Sequence, residues 1–130
     1  MPKVTQIATS VKNKPGALAQ ICSTLGKAGV NISALLAPEA KDKGKVRLLV
    51  DNPDKAKEAL NTAKVRFSEE EVIALSLDNR PGALAEVSEK LAQSKINIRY
   101  SYATAAEGSA KATVIIAVRD VTKALSVLGE

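Results

Sequence analysis

Asn13-Lys14-Pro15-Gly16-Ala17-Leu18-Ala19 is written a second time, sixty-six residues later, as Asn79-Arg80-Pro81-Gly82-Ala83-Leu84-Ala85. The agreement continues to Asn31-Ile32 and Asn97-Ile98, so that nine of twenty aligned positions are identical. A repeat of this length means one folding unit present twice. Units of about 65 residues bury too little surface to be secure alone, so the copies are expected to pack together.

Working outward from the repeated loop, residues 4–11 and 72–77 carry apolar side chains at strand spacing and stop at a polar turn. A helix is predicted from about residue 16 to 28, with Leu18, Ile21, Cys22 and Leu25 at i, i+3, i+4 and i+7. Leu84, Val87, Ser88 and Leu91 take those places in the second copy. Gly29 reads as a left-handed helix end, and Lys95 stands there in the second copy at a modest conformational cost.

Residues 30–37 and 96–104 are predicted strands, followed by turns at Gly44 and at Glu107-Gly108-Ser109 and by returning strands over 45–50 and 111–118. Asn52-Pro53-Asp54 and Asp120 each open a second helix. The first copy adds a short strand over 65–67, and Glu69-Glu70-Glu71 reads as a solvated linker. Strand, helix, strand, strand, helix, strand is the order of the ferredoxin-like sandwich, an α+β fold with an antiparallel sheet and its helices on one face. The expected division is residues 1–68 and 69–130, the second copy lacking the last strand. The copies are expected to join edge to edge through strands 30–37 and 96–104. The missing strand leaves a first-strand edge open, and a homodimer is expected to close it.

Composition narrows the function. The chain has no histidine and one cysteine, Cys22, which excludes Ser-His-Asp and Cys-His chemistry, an intrachain disulfide and most zinc sites. Cys22 falls on the predicted apolar helix face and reads as a core thiol. The net charge of +5 comes from dispersed lysines, and the third strands carry no aromatic residues, which argues against nucleic acid. No apolar run reaches the ~20 residues of a membrane span, and the first residues lack a signal-peptide core. The protein is expected to be cytoplasmic and non-catalytic, with no cofactor and no metal.

The segments from Asn13 to Ile32 and from Asn79 to Ile98 resemble the ACT domain, a small-molecule-binding regulatory module of many enzymes of amino-acid metabolism. The resemblance covers the chain as a tandem pair and is most specific at the Asn-x-Pro-Gly-x-Leu loop and the following Asn-Ile. It implies an allosteric regulator that binds a free amino acid at the interface between paired modules. It also implies, as the regulated partner, an enzyme of amino-acid or related acid metabolism. The ligand-binding candidates are Asn13, Lys14, Pro15, Gly16, Ala17, Leu18, Asn31 and Ile32, with Asn79, Arg80, Pro81, Gly82, Ala83, Leu84, Asn97 and Ile98. Some amino-acid-binding members carry a polar residue two places before the loop Asn. Val11 and Leu77 stand there in this chain and point to a ligand with an apolar side chain.

The loop has a physical reading of its own. Lys14 and Arg80 precede proline and are pushed to extended geometry, while Gly16 and Gly82 leave the first helical N–H groups uncovered. Such a helix start suits a carboxylate, and the Asn side chains offer a donor and an acceptor. A side chain added at either glycine is expected to block the approach at little cost to the fold. The same residues also suit a tight turn with Asn as a local cap. At 1.5 Å per residue, Asn31 lies on the order of 20 Å from Gly16, so one small ligand cannot touch both. Pairing about a pseudo-twofold axis would bring Asn97 beside the Asn13 loop and Asn31 beside the Asn79 loop. Asn31 and Asn97 also suit the exit from a helix. A structural pairing module without a ligand is the alternative function.

Overall fold

A computed structural model describes residues 3–130; residues 1 and 2, the start of the expected 1–68 domain, lie outside it. The elements in order are β1 (Lys3–Lys12), α1 (Ala17–Lys27), β2 (Ile32–Leu36), β3 (Lys43–Val50) and α2 (Pro53–Thr62). They repeat as β4 (Phe67–Asp78), α3 (Ala83–Gln93), β5 (Tyr100–Thr104), β6 (Lys111–Ala117) and α4 (Val121–Leu128). The fold is α+β, with antiparallel pairing throughout the registered strands.

The chain divides into one unit of Thr5–Glu70 and another that joins Glu71–Glu130 to the described residues of Met1–Val4. In the first unit the strand order is β2-β3-β1, with the opening residues of β4 on the far side of β1. Ile7 faces Leu48 and Val11 faces Gly44 across β1 and β3. Helices α1 and α2 supply Ile21, Leu25, Ala56 and Leu60 to a core with Ile7, Val46 and Leu48. Asn52 caps α2 by accepting from the Lys55 N–H at 3.1 Å, with Pro53 at the first position, where no amide donor is needed.

The second unit repeats this as β5-β6-β4. Ile73 faces Ile116 and Leu75 faces Val114. Its core joins these four to Leu91, Val118 and Ala124. Asp120 caps α4 through the Lys123 N–H at 3.0 Å. The hairpin between β5 and β6 is two residues longer than its counterpart, since Val11 pairs with Gly44 but Leu77 pairs with Ala112.

Several expectations are corrected. Residues 65–67 are not a separate strand, and the three glutamates are not a linker: Phe67–Asp78 is one continuous strand. Within the first unit the Glu70 carboxylate accepts from Arg47 Nε at 3.1 Å and from Gln6 Nε2 at 3.2 Å. Gln6 is fully buried, so this carboxylate satisfies an amide that water cannot reach. Both first strands are flanked on two sides, β1 by β3 and β4, and β4 by β6 and the start of β1. No first-strand edge stands open for a second molecule as expected. The strands expected to join the copies, β2 and β5, each end the strand order and are hydrogen-bonded on one side only.

Strand β5 begins at Tyr100 rather than 96. The chain leaves α3 through the positive φ of Lys95, and Ile96 and Ile98 pack against the core before strand geometry starts. Gly44 is not a turn residue but lies in β3, where a Cβ would meet the Ala40 Cβ at 3.0 Å. Cys22 is half-buried rather than part of the core.

Candidate functional site

Loop 13–16 reverses the chain between β1 and α1 with few bonds. The Lys14 N–H reaches the Lys12 carbonyl at 2.9 Å, and the Ala17 N–H reaches the Lys14 carbonyl at 3.3 Å. Gly16 then takes φ +89°, and Gly82 takes +88° in the second copy. This left-handed geometry strains any residue with a Cβ. The expectation that bulk at these glycines spares the fold is overturned: the space beside Gly16 is open, but its backbone is not one a valine adopts.

Neither loop asparagine caps its helix. The Asn13 N–H donates to the Asp42 carbonyl at 2.6 Å, and its side-chain amide donates to the Ala40 carbonyl. Asn79 does the same to the other hairpin, through Ala110 at 2.9 Å and Ser109 at 3.0 Å. Each Asn therefore ties its loop to the hairpin of its own unit. At the start of α1, the Gly16, Leu18 and Ala19 N–H groups meet no protein acceptor among the described residues.

The tie closes a cavity of about 200 Å³ in the first unit between the loop and hairpin residues 37–46. Val11, Ala17, Leu18 and Pro38 supply apolar wall, while Lys12, Lys14, Lys45 and Glu39 supply charge of both signs. Leu18 was expected on the core stripe of its helix, with Leu84 as its counterpart. They are instead 39% and 46% exposed, while Ala83 beside Leu84 is buried. The rest of the predicted stripe holds, with Ile21, Leu25 and Leu91 buried in the cores and Val87 packed against the second.

The two loops differ in charge. Arg80 forms a bidentate pair with Glu86 at 3.0 Å for both oxygens, and its Nη1 lies 3.9 Å from a Cβ built on Gly82. Glu86 sits in the first turn of α3, whereas α1 has no acidic residue in its first turn. The Asp78 carboxyl is held below the usual carboxylate range, first by its hydrogen bond from Lys111 at 2.6 Å and then by the charges of Lys111 and Arg80. Of the remaining candidates, Ile32 and Ile98 pack against the two cores. The Asn31 carbonyl accepts from the Asp51 N–H at 3.0 Å, and the Asn31 N–H donates to the Asp51 carboxylate at 2.9 Å. Asn97 lines a different cavity with Lys95, Arg99, Arg119 and Lys123. That basic cluster escaped the sequence reading because its members are spread over residues 95–123.

The family model described as an ACT domain pair matches residues 2–128. The chain belongs to the ACT domain-pair family. A solved protein from Bacteroides thetaiotaomicron, BT0572, is 33% identical over 98% of this chain and 88% of its own, with a TM-score of 0.90. The regulatory subunit of aspartate kinase from Thermus thermophilus is similar in fold, at 19% identity, 96% and 90% coverage and a TM-score of 0.67. That of Thermus flavus is likewise similar, at 16% identity, 99% and 94% coverage and a TM-score of 0.62. Among curated proteins, none matches the sequence. No helix of this ACT domain pair is long and apolar enough to cross a membrane, and no cluster of metal-binding side chains occurs among its described residues.

Proposed function

We propose that this ACT domain pair is a non-catalytic regulator that binds a free amino acid at the first copy's loop and transmits its occupancy to an enzyme of amino-acid or related acid metabolism. The observation that carries the reading is the loop cavity of about 200 Å³, whose lining joins lysines, one glutamate and an apolar wall beside a helix start with free N–H groups, that of the lining residue Leu18 among them. A carboxylate suits the N–H groups and lysines, an ammonium suits Glu39, and an apolar side chain suits Val11 and Leu18. The likeness of the fold to aspartate kinase regulatory subunits supports the choice of partner enzyme. The reading places the protein in the cytoplasm with such enzymes.

The second loop is the poorer anion site in this reading, because Glu86 already neutralises the start of α3 and engages Arg80. Occupancy of one amino acid per chain follows. Titration calorimetry against the twenty amino acids tests this. The expected result is binding of one or a few apolar amino acids at one site per chain, weakened about tenfold or more by Lys14→Glu or Leu18→Asp. No heat with any amino acid would leave the ligand-free pairing module, a reading favoured by one observation: the Asn13 and Asn79 amides already serve the hairpins.

We further propose a homodimer, now through the outer strands rather than the first strands. β2 and β5 each present one edge without a strand partner, and Leu35 on β2 is 37% exposed.

A further inference from the structure

In the second unit, Lys95, Arg99, Arg119 and Lys123 line a single cavity of about 410 Å³ at the end of α3 and the start of α4. Asp120 is the one carboxylate in that lining, and it is engaged as the helix cap. The formal charge around the cavity is therefore four positive against one negative. Among the described residues none of the four cations reaches a carboxylate within salt-bridge distance. Elsewhere in the same unit Lys3, Arg80 and Lys111 each do. Arg99 lies over the Tyr100 ring at 5.7 Å to its centroid, which orients the guanidinium without neutralising it.

The first copy does not build this feature. Gly29, Ser33 and Asp51 stand where the second copy has Lys95, Arg99 and Arg119, and only Lys55 keeps its charge, opposite Lys123. The cluster is thus not a requirement of the fold, since the first copy builds the same element order without it.

We propose that this cavity binds a small anion carrying two or more adjacent phosphates, such as a nucleoside di- or triphosphate. Like charges gathered around one space repel, and a multiply charged anion relieves that repulsion where a single carboxylate does so only in part. The two guanidiniums present planar forks that match phosphate oxygens in pairs, and the lysines add point charges beside them. Asn97 offers an amide to a ribose or phosphate oxygen. The cavity shares no lining residue with the loop cavity and stands independently of the amino-acid reading. It gives the protein a second input, reporting phosphate-rich metabolites.

Titration calorimetry on the full chain at low and moderate salt tests the proposal with pyrophosphate, ATP and inorganic phosphate as probes. Pyrophosphate and ATP are expected to bind once per chain, at least about tenfold more tightly than inorganic phosphate, and to weaken as salt rises. Lys95→Gly, Arg99→Ser and Arg119→Ser combined should weaken pyrophosphate binding about tenfold or more. The set borrows the first copy's residues at positions 95 and 99, and glycine at 95 also relieves the left-handed strain there. Lys27→Ser, Lys41→Ser and Lys90→Ser combined remove the same charge elsewhere and should leave binding within about twofold. Equal loss in both variants would show a diffuse charge effect and overturn the proposal. So would binding of a poly-glutamate peptide or an oligonucleotide with none of pyrophosphate or ATP, since the surface would then serve a polymer.

Discussion

Lys95 holds a φ of +59° in the place where Gly29 holds +77° after the first helix. A left-handed residue with a Cβ costs about 1–2 kcal/mol, partly offset because glycine gains more freedom in the unfolded chain. Lys95→Gly should therefore stabilise the protein by about 0.5–1 kcal/mol in denaturant unfolding, while Gly29→Lys should destabilise it by a similar amount. Asp78 makes a pH prediction. Its pKa is lowered in the folded protein by the Lys111 hydrogen bond, so its contribution is present above the unfolded value of 3.8 and is lost as pH falls through the folded value. The stability difference between wild type and Asp78→Asn should hold steady at neutral pH and close on acidification below that value. A difference that instead grew toward acid pH would contradict the assignment. The two residues mark the reach of local rules: the glycine-like position after the helix was evident from the repeat, whereas the Lys111 partner of Asp78 lies across a strand pair that only the folded chain brings together.

At the scale of elements, β4 is where local reading and structure part. Glu69-Glu70-Glu71 has the composition of a solvated segment, yet it lies near the start of a twelve-residue strand. The side chains of Arg47 and Glu70 are only 14% and 20% exposed, and Glu70 also serves buried Gln6. Removing one partner of such a pair leaves the other poorly solvated. Glu70→Ala should cost about 2 kcal/mol by denaturant unfolding, and Arg47→Met with Glu70→Leu should recover part of the loss. A Glu70→Ala protein as stable as wild type would show that water replaces the carboxylate. Helices α1 and α3 make the complementary point. Their existence, their length and the burial of Ile21, Leu25 and Leu91 were legible from the 3.6-residue period, whereas Leu18 and Leu84 in the first turns stand exposed.

For the whole molecule, the proposed dimer through the outer strands has a direct test. Short strands with an exposed edge and an exposed leucine are templates for a further strand, and a charge pointing into that surface blocks pairing. Sedimentation at micromolar concentration should show a dimer for wild type and a shift toward monomer for Leu35→Lys, with unchanged secondary structure by circular dichroism. A monomeric wild type would remove the proposal. The prediction differs from the one the sequence supports because the missing strand of the second copy is no gap: the beginning of β1 and the beginning of β4 each serve as the outer neighbour of a first strand.

By itself the sequence determined what depends on local pattern. The repeat specified two copies of one α+β unit, the Pro-Gly loop specified where each first helix begins, and Asn52 and Asp120 marked the second helices through short-range capping. The family likeness was legible for the same reason, since its motif is local. Tertiary structure decided whatever depends on residues distant in the chain. It made Asn13 and Asn79 ties to a hairpin, gave Glu70 buried partners, and gathered four cations from residues 95–123 around one cavity. Those outcomes follow from strand register and helix placement, which are set by the packing of a whole core and leave no trace in any one stretch of sequence.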